Sequence, residues 1–535
     1  MNFSHLWKGL GENLETINEK PDLLPIATVL LPLIESFMVV SKPYVMVQHK
    51  HENASVNLNL NETPSVGQKT VSELLQQQHQ RALASSRATS PPLGATTASG
   101  SQHPHQPALS LNEELFFVFT EEHRKILNTM VRHNPSLMSG SFSLLILNPK
   151  VLEFDCKRTY FTQQLHRRSR MHQPHPTLQV NVRRQYVFEE SFHQLHGRRG
   201  KDIAFAKLNV RFTDEEGVDA GGVTREWFSV LARQMFNPDY ALFKPSAVDK
   251  ITYQPNRASW VNPDHLSYFK FVGRIIGKAI HDGRLMDCYF TRSFYKQLID
   301  VPVDYKDMEA FDPDLHKSLV WMLNNDITDI IDETFSIETE DFGEKKTIEL
   351  KPGGAELPVT EENKREYVDL LVKQKLTTAI KQQIDAFMSG FNEVIPKELI
   401  RIFNEQELEL LISGLPDIDI DDWKNNTEYV NYTSSSTQIQ WFWRAIRSFS
   451  QEEKAKVIQF ATGTSKVPLE GFAQLQGSSG VQKFNIHKDF SSTLRLPSAH
   501  TCFNQVDLPE YNSYEQLRSQ LLTAISECGT GFGLA

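Results

Sequence analysis

The stretch LPSAHTCFNQVDLP, Leu496–Pro509, decides how this chain is read. It is strand-like between two bounding prolines, which predicts an extended run through Cys502. Side chains of an extended chain alternate, so His500 and Cys502 would share one face and Thr501 the other. An imidazole beside a thiol can stabilise the thiolate, the reactive form. By itself the pair settles little, because free cysteine is among the most buried residue types and is more often inert. The flanks narrow the chemistry. Beyond Cys502 there is no histidine or lysine, and Arg518 is the only basic residue. A papain-like order, with the base histidine after the cysteine, is excluded, whereas a caspase-like order with the histidine upstream stays open. Hydrolysis loses ground to covalent transfer without a strong built-in base.

The rest of the chain sets the frame. Its 535 residues are too many for one core, and 40% apolar with 10% aromatic residues is a globular composition. A formal charge of −10 gives no general attraction to nucleic acid. Cys156, Cys288, Cys502 and Cys528 are far apart with no CxxC pair, so neither a disulfide framework nor a cysteine-rich zinc site is expected. A reducing compartment follows. The apolar run Leu23–Val40 contains Pro25, Pro32 and Glu35 and reads as a buried helical segment, not a membrane span.

Leu6, Leu10, Leu14 and Ile17 recur at helical spacing, giving a helical segment over 1–50. From His51 to Ser110 there is no Phe, Trp or Tyr, and 51–110 is expected to be a disordered linker. Helical patterning resumes at Phe116, Phe119, Ile126, Leu127 and Met130 and defines a pre-catalytic region over 111–182. Arg167–Lys201 holds eight Lys or Arg against Glu189 and Glu190; a solvated basic face is the plainer reading, and His166, His172 and His175 lack a further ligand for a metal. From about 183 to 413 the chain is a large, mostly helical body. Gly414 suits a helix C-cap, Pro416 blocks continuation, and 414–416 is a candidate hinge. Ser450 with Glu453, and Ser513 with Gln516, have capping-box spacing in a small α+β portion over 417–535. The run GRIIGKA from Gly273 has the wrong glycine spacing for a phosphate loop and reads as a tightly packed helix. Cys156, Cys288 and Cys528 sit in no motif and are read as structural.

LPSAHTCFNQVDLPEY resembles the catalytic-cysteine signature of the HECT family of ubiquitin ligases, and it lies a little over thirty residues from the C-terminus, as in that family. Further HECT-like stretches follow in the family's order: NVRRQYVFEESFHQL, VRFTDEEGVDAGGVTREWFSVLARQMF, YFKFVGRIIGKAIHDGRLMDCYF, AFMSGFNEVIP, ELELLISG and FWRAIRSFSQEEKAKVIQFATGTSKVPLEGF. The resemblance covers about 183–535 and is strongest to the giant members that also carry UBA and WWE domains, so the chain is expected to match the C-terminal part of a much longer protein.

The resemblance implies an α+β, bilobal HECT domain preceded by helical segments and a linker. The N-lobe would span 183–413, with an E2-binding subdomain at about 305–375. The hinge would be Gly414, Leu415 and Pro416, and the C-lobe 417–535. Ubiquitin would pass from an E2 to Cys502 as a thioester and then to a substrate lysine. His500 and Thr501 would orient or activate the cysteine, and Phe532, fourth from the end, would position the C-lobe. Leu315, Ser318, Leu319, Ile331, Tyr367 and Leu371 carry over as E2 contacts. Asp326–Asp341 holds seven acids and no base, which is either a solvated face or a surface that steers a basic E2 helix. No cofactor or metal is expected. The expected partners are ubiquitin, an E2 and protein substrates, with self-association through 111–182, no membrane and no nucleic acid. The expected location is cytoplasmic and nuclear. A catalytically silent E2- or ubiquitin-binding module and a cysteine hydrolase are the alternatives.

Overall fold

A computed structural model describes residues 4–52, 111–171, 177–213, 222–341, 344–468, 471–477 and 480–527. Most of the 51–110 stretch, with Cys528 and Phe532, lies outside these residues. The chain divides into two compact units, Met1–Gln164 and Leu165–Ala535.

In the first unit, helices Ser4–Glu19, Leu31–Glu52, Leu111–Glu122 and Arg124–His133 share one core with short 3-10 segments. Leu10, Leu14 and Ile17 are buried as their spacing predicts, and Phe37 lies 4.1 Å from Phe119, centroid to centroid. Pro21 opens a 3-10 segment, Pro21–Leu30, which leads into the α-helix from Leu31, so the apolar Leu23–Val40 run is 3-10 in its first part and α-helical in its second. No helix among the described residues is long and apolar enough to cross a membrane. Cys156 is buried here, and burial pushes its thiol up to about 12, where it is inert.

The second unit is bilobal and α+β. Its larger lobe is organised around helix His265–His281 packed on helix Lys381–Asn392. A methyl on Gly273 would meet Phe391 N at 2.9 Å, and one on Gly277 would meet Val394 Cβ at 3.1 Å. The glycines of GRIIGKA therefore serve close helix packing. Phe335, Tyr367, Val368, Leu371 and Val372 belong to a separate, smaller core that also takes Met308, Leu319 and Met322. A hairpin, Ser336–Asp341 with Glu344–Glu349, projects from this subdomain. Its register sets Glu340 opposite Lys345 and Thr339 opposite Lys346.

The smaller lobe carries a four-stranded sheet. Phe484–Asp489 runs parallel to both Thr427–Val430 and Gln505–Pro509, and Ser498–His500 adds an antiparallel edge. Parallel neighbours need a crossover, supplied between Thr427–Val430 and Phe484–Asp489 by helices Thr437–Ser448 and Gln451–Thr462 and before Gln505–Pro509 by the segment that carries the edge strand. The second has the predicted capping box: Ser450 Oγ accepts from Glu453 N and Glu453 accepts from Ser450 N. At helix Tyr514–Glu527 the reciprocal bond differs. Ser513 Oγ accepts from Gln516 N, but Gln516 Oε1 accepts from Asn512 N. Trp423, stacked on Phe472 at 5.1 Å, seals the core beneath Phe484 and Ile486.

Candidate functional site

The predicted extended run through Cys502 does not form. The strand stops at His500, Thr501–Phe503 make one 3-10 turn, and Asn504 takes the left-handed conformation (φ 51°, ψ 42°) before the chain returns at Gln505. Asparagine tolerates that conformation, and burial holds it there. Asn504 is fully buried and its Nδ2 donates to Gln482 O at 2.6 Å, while Asn485 Nδ2 donates to Phe503 O at 2.6 Å. Alternation therefore fails past His500, and Cys502 sits mid-turn between two strands, fixed from behind by two asparagines.

The neighbours of the turn have definite partners. His500 Nε2 lies 2.9 Å from Asp507 Oδ2 on the adjacent strand. That hydrogen bond raises the imidazole above its ordinary 6.5 against burial, with added attraction from Asp507 and Glu309. Burial opposes ionisation of Asp507, but hydrogen bonds from His500 and Gln505 outweigh it and hold its carboxyl low. Thr501 Oγ1 donates to Glu309 Oε2 at 3.0 Å, on the larger lobe. Thr501 thus ties the turn across the junction between lobes, while His500 is paired within its own sheet.

The lobes meet again beside the hinge. Helix Glu405–Ser413 ends at Gly414 with φ 87°, where a methyl would strike Leu285 Cδ1 at 2.6 Å. Glycine is favoured there on conformational grounds, since a methyl would displace only the end of the exposed Leu285 side chain. Glu409 is wholly buried, and its Oε1 accepts from Ser465 N and Ser465 Oγ, both at 2.7 Å, and from Thr464 Oγ1 and Gln459 Nε2, both at 3.3 Å. Burial raises its carboxyl above the ordinary value, and these hydrogen bonds only partly offset that. Leu415 is exposed and Pro416 follows it in irregular chain.

The second constellation is a groove of about 630 Å³. It is lined by all six carried-over positions, Leu315, Ser318, Leu319, Ile331, Tyr367 and Leu371, which span 57 positions of sequence. Asp312 caps helix Pro313–Asn324 by accepting from Leu315 N, and Leu315, Leu319 and Met322 then fall on one face. Leu319, Tyr367 and Leu371 form a buried floor, and Leu315 and Ile331 the half-buried sides. Trp321, 44% exposed, also lines it with Lys317 and Glu333. Sequence reasoning passed over Trp321, although a tryptophan on the polar side of an amphipathic helix is itself a signal. It also passed over Glu409, whose helical stripe with Glu405 and Ile412 marked an acid facing inward; Thr464 and Ser465, its partners, lie more than fifty residues away. Among the described residues no three His, Cys, Asp or Glu side chains form a metal-binding group.

Residues 229–535 match the family described as HECT-domain (ubiquitin-transferase). Over its whole length the chain is 55% identical to the E3 ubiquitin-protein ligase TOM1-like of Neurospora crassa. It is 51% identical to the E3 ubiquitin-protein ligase TOM1 of Saccharomyces cerevisiae and 48% identical to the E3 ubiquitin-protein ligase HUWE1 of Mus musculus, again over the whole chain. It spans only 12%, 15% and 12% of those relatives, matching respectively.

Proposed function

This chain belongs to the HECT-domain (ubiquitin-transferase) family, and from that premise we propose that it is the transfer module of an E3 ubiquitin ligase working through Cys502. The Cys502 thiolate attacks the thioester carbonyl of a ubiquitin-loaded E2, and the E2 thiolate leaves. A neutral lysine amine of a protein substrate then attacks the new thioester, the Cys502 thiolate leaves, and the amine loses its proton. The observation that carries the reading is the convergence of Leu315, Ser318, Leu319, Ile331, Tyr367 and Leu371 on one open groove with a buried apolar floor, suited to an apolar side chain of the E2.

Within the proposal His500 acts electrostatically: its pKa raised by the hydrogen bond with Asp507, it favours a thiolate two residues away when protonated. Thr501 holds the turn to the larger lobe and is a positioning residue. The hinge at Gly414–Pro416 swings Cys502 between carrier and acceptor, since reacting atoms must approach to about 3–3.5 Å. Phe532 belongs to the second step. Self-association through 111–182 and residence in the reducing cytoplasm and nucleus complete the reading; sedimentation of the chain against concentration and localisation of a tagged chain test them.

The deciding experiment is a thioester assay with E1, E2, ATP and ubiquitin. A reductant-sensitive ubiquitin adduct is expected on the wild-type chain, none on Cys502→Ala, and a reductant-stable ester on Cys502→Ser. An adduct on another cysteine, or cleavage of ubiquitin conjugates without E2, overturns the assignment. Leu315→Asp is expected to slow adduct formation at limiting E2 while leaving the fold intact.

A further inference from the structure

The groove-bearing subdomain has its own core, and the chain enters it through residues 304–308, with Met308 in that core. A separate core needs a fixed attachment if an E2 held in the groove is to face Cys502 in one geometry. Two cations of helix Arg292–Leu298 supply it. Lys296 Nζ donates to Asp307 Oδ2 at 2.7 Å and to Asp304 Oδ2 at 3.0 Å. Burial opposes the Lys296 ammonium, yet Asp307, Asp304 and Glu405 outweigh it and hold the group above its ordinary value. Arg292 reaches further. Its Nε donates to Glu405 Oε1 at 3.1 Å and lies 3.7 Å from Asp307 Oδ1, an oxygen of a fully buried side chain that accepts no hydrogen bond among the described residues.

Glu405 stands 113 positions along the chain from Arg292 and opens helix Glu405–Ser413. That helix ends at Gly414, and its Glu407 and Glu409 take Lys456 and Ser465 of the smaller lobe. One side chain therefore joins the entry of the groove-bearing subdomain to the helix that runs to the hinge. The bridge lies on the wall of a cavity of about 110 Å³ that Glu409, Gly463 and Thr501 also line. We propose that Arg292 is a positioning residue for the first transfer step: by bridging Asp307 to Glu405 it fixes the bearing of the E2 groove against the hinge helix, and so against Cys502. This rests on the transfer reading above. Arg292 acts through the frame, so its loss changes how often carrier and cysteine meet in reacting geometry, and neither how tightly the E2 binds nor how nucleophilic the thiol is.

The test is single-turnover transfer of ubiquitin from loaded E2 to the full chain, measured against E2 concentration, with melting and amide exchange of the same proteins. Arg292→Met is expected to lower the maximal rate about tenfold, the scale of a small misplacement, while half-saturating E2 stays within about twofold of wild type. Leu315→Asp, in the groove, should do the reverse. Arg292→Met also leaves buried Glu405 without Arg292 as its partner, so the double variant R292M/E405Q separates stability from positioning. It should melt higher than R292M yet transfer as slowly, because the bridge is absent from both. Arg292→Lys should restore part of the rate, and Lys381→Gln, which breaks an exposed pair with Asp385 in the same lobe, should match wild type. Iodoacetamide should alkylate Cys502 at the wild-type rate in every variant. Amide exchange at 304–308 should quicken in R292M and in R292M/E405Q while that of 265–281 is unchanged. An unchanged maximal rate, a rate that recovers with the melting temperature in R292M/E405Q, or slowed alkylation overturns the role given to Arg292. Should the wild-type chain form no adduct, the transfer reading falls by itself. Exchange at 304–308 unaltered by R292M would then overturn the bridge as well, and quickened exchange would uphold it as the attachment of the subdomain.

Discussion

The helix pair at the centre of the larger lobe and the junction between the two lobes are both buried, yet they are held by different balances of steric and polar contact. Helix His265–His281 lies on helix Lys381–Asn392 through glycines: Gly390 leaves room for Lys270 O, and Gly273 for the backbone of Phe387 and Phe391. Contact of this kind fixes the spacing of the two backbones, and Lys270 and Arg274 of the first helix also pair with Glu393 at the end of the second. The junction is held by polar contacts: Glu409 on Ser465, Thr501 on Glu309, Gln459 on Gln406 O, and Lys456 and Lys466 paired with Glu407 and Asp287. Each donor there can find water instead when the lobes part, so the net contribution of each bond is small and the contact is reversible. Steric packing makes a frame, and sparse polar contact makes a joint.

The largest expected effect breaks the frame. Gly390→Ala forces the helices apart and is expected to cost about 3 kcal/mol or more, lowering the melting temperature of the whole lobe. A melt within a degree of wild type would mean the helices are not the rigid element described. Next comes Glu409→Ala, which leaves the Ser465 and Thr464 donors without their acceptor. We expect a loss of about 1–3 kcal/mol, confined to the junction. Amide exchange around 463–466 should quicken while that of 265–281 is unchanged, and uniform quickening would contradict a separable joint. Because burial raises the Glu409 pKa, the folded state holds its proton more tightly than the unfolded chain. Its contribution is therefore destabilising as pH rises from the ordinary 4.5 through the raised folded value, a slope that Glu409→Gln should remove.

Thr501→Val removes a single hydrogen bond to Glu309 and should cost only about 0.5–1.5 kcal/mol. Its signature is faster exchange at the turn with an unchanged global melt. The smallest effect is a titration. The His500 imidazole should titrate above 6.5 by NMR, and Asp507→Asn should return it toward that value. The raised histidine stabilises the fold below 6.5 and loses this as pH rises through its folded pKa. The depressed Asp507 contributes above 3.8 and loses this as pH falls through its own, so the pair is strongest between the two. A His500 midpoint unmoved by Asp507→Asn would remove the pairing from the account.

Local signals in the chain reported local structure well. Ser450 and Glu453 cap as their spacing predicts, Gly414 closes its helix, and the Gly273 run is close-packed helix. Local signals misled where a distant group intervened. The strand expected through Cys502 turns at Thr501 because Asn504 is gripped by Gln482 and the turn by Asn485, contacts that no pattern within 496–509 encodes. Gln516 was paired with the wrong amide for a smaller reason: Asn512 N, one residue further back, lies within its reach.

The order of the motifs, the amphipathic helices, the caps and the lone thiol between two prolines are properties of neighbouring residues, and the linear text is enough to find them. The groove and the polar shell of buried Glu409 exist only because chain segments tens of residues apart are packed together, and His500 meets Asp507 only because the chain turns back into an antiparallel pair. Burial and charge proximity are functions of distance in space, and they, rather than composition, set which carboxyl is pushed up and which imidazole is raised.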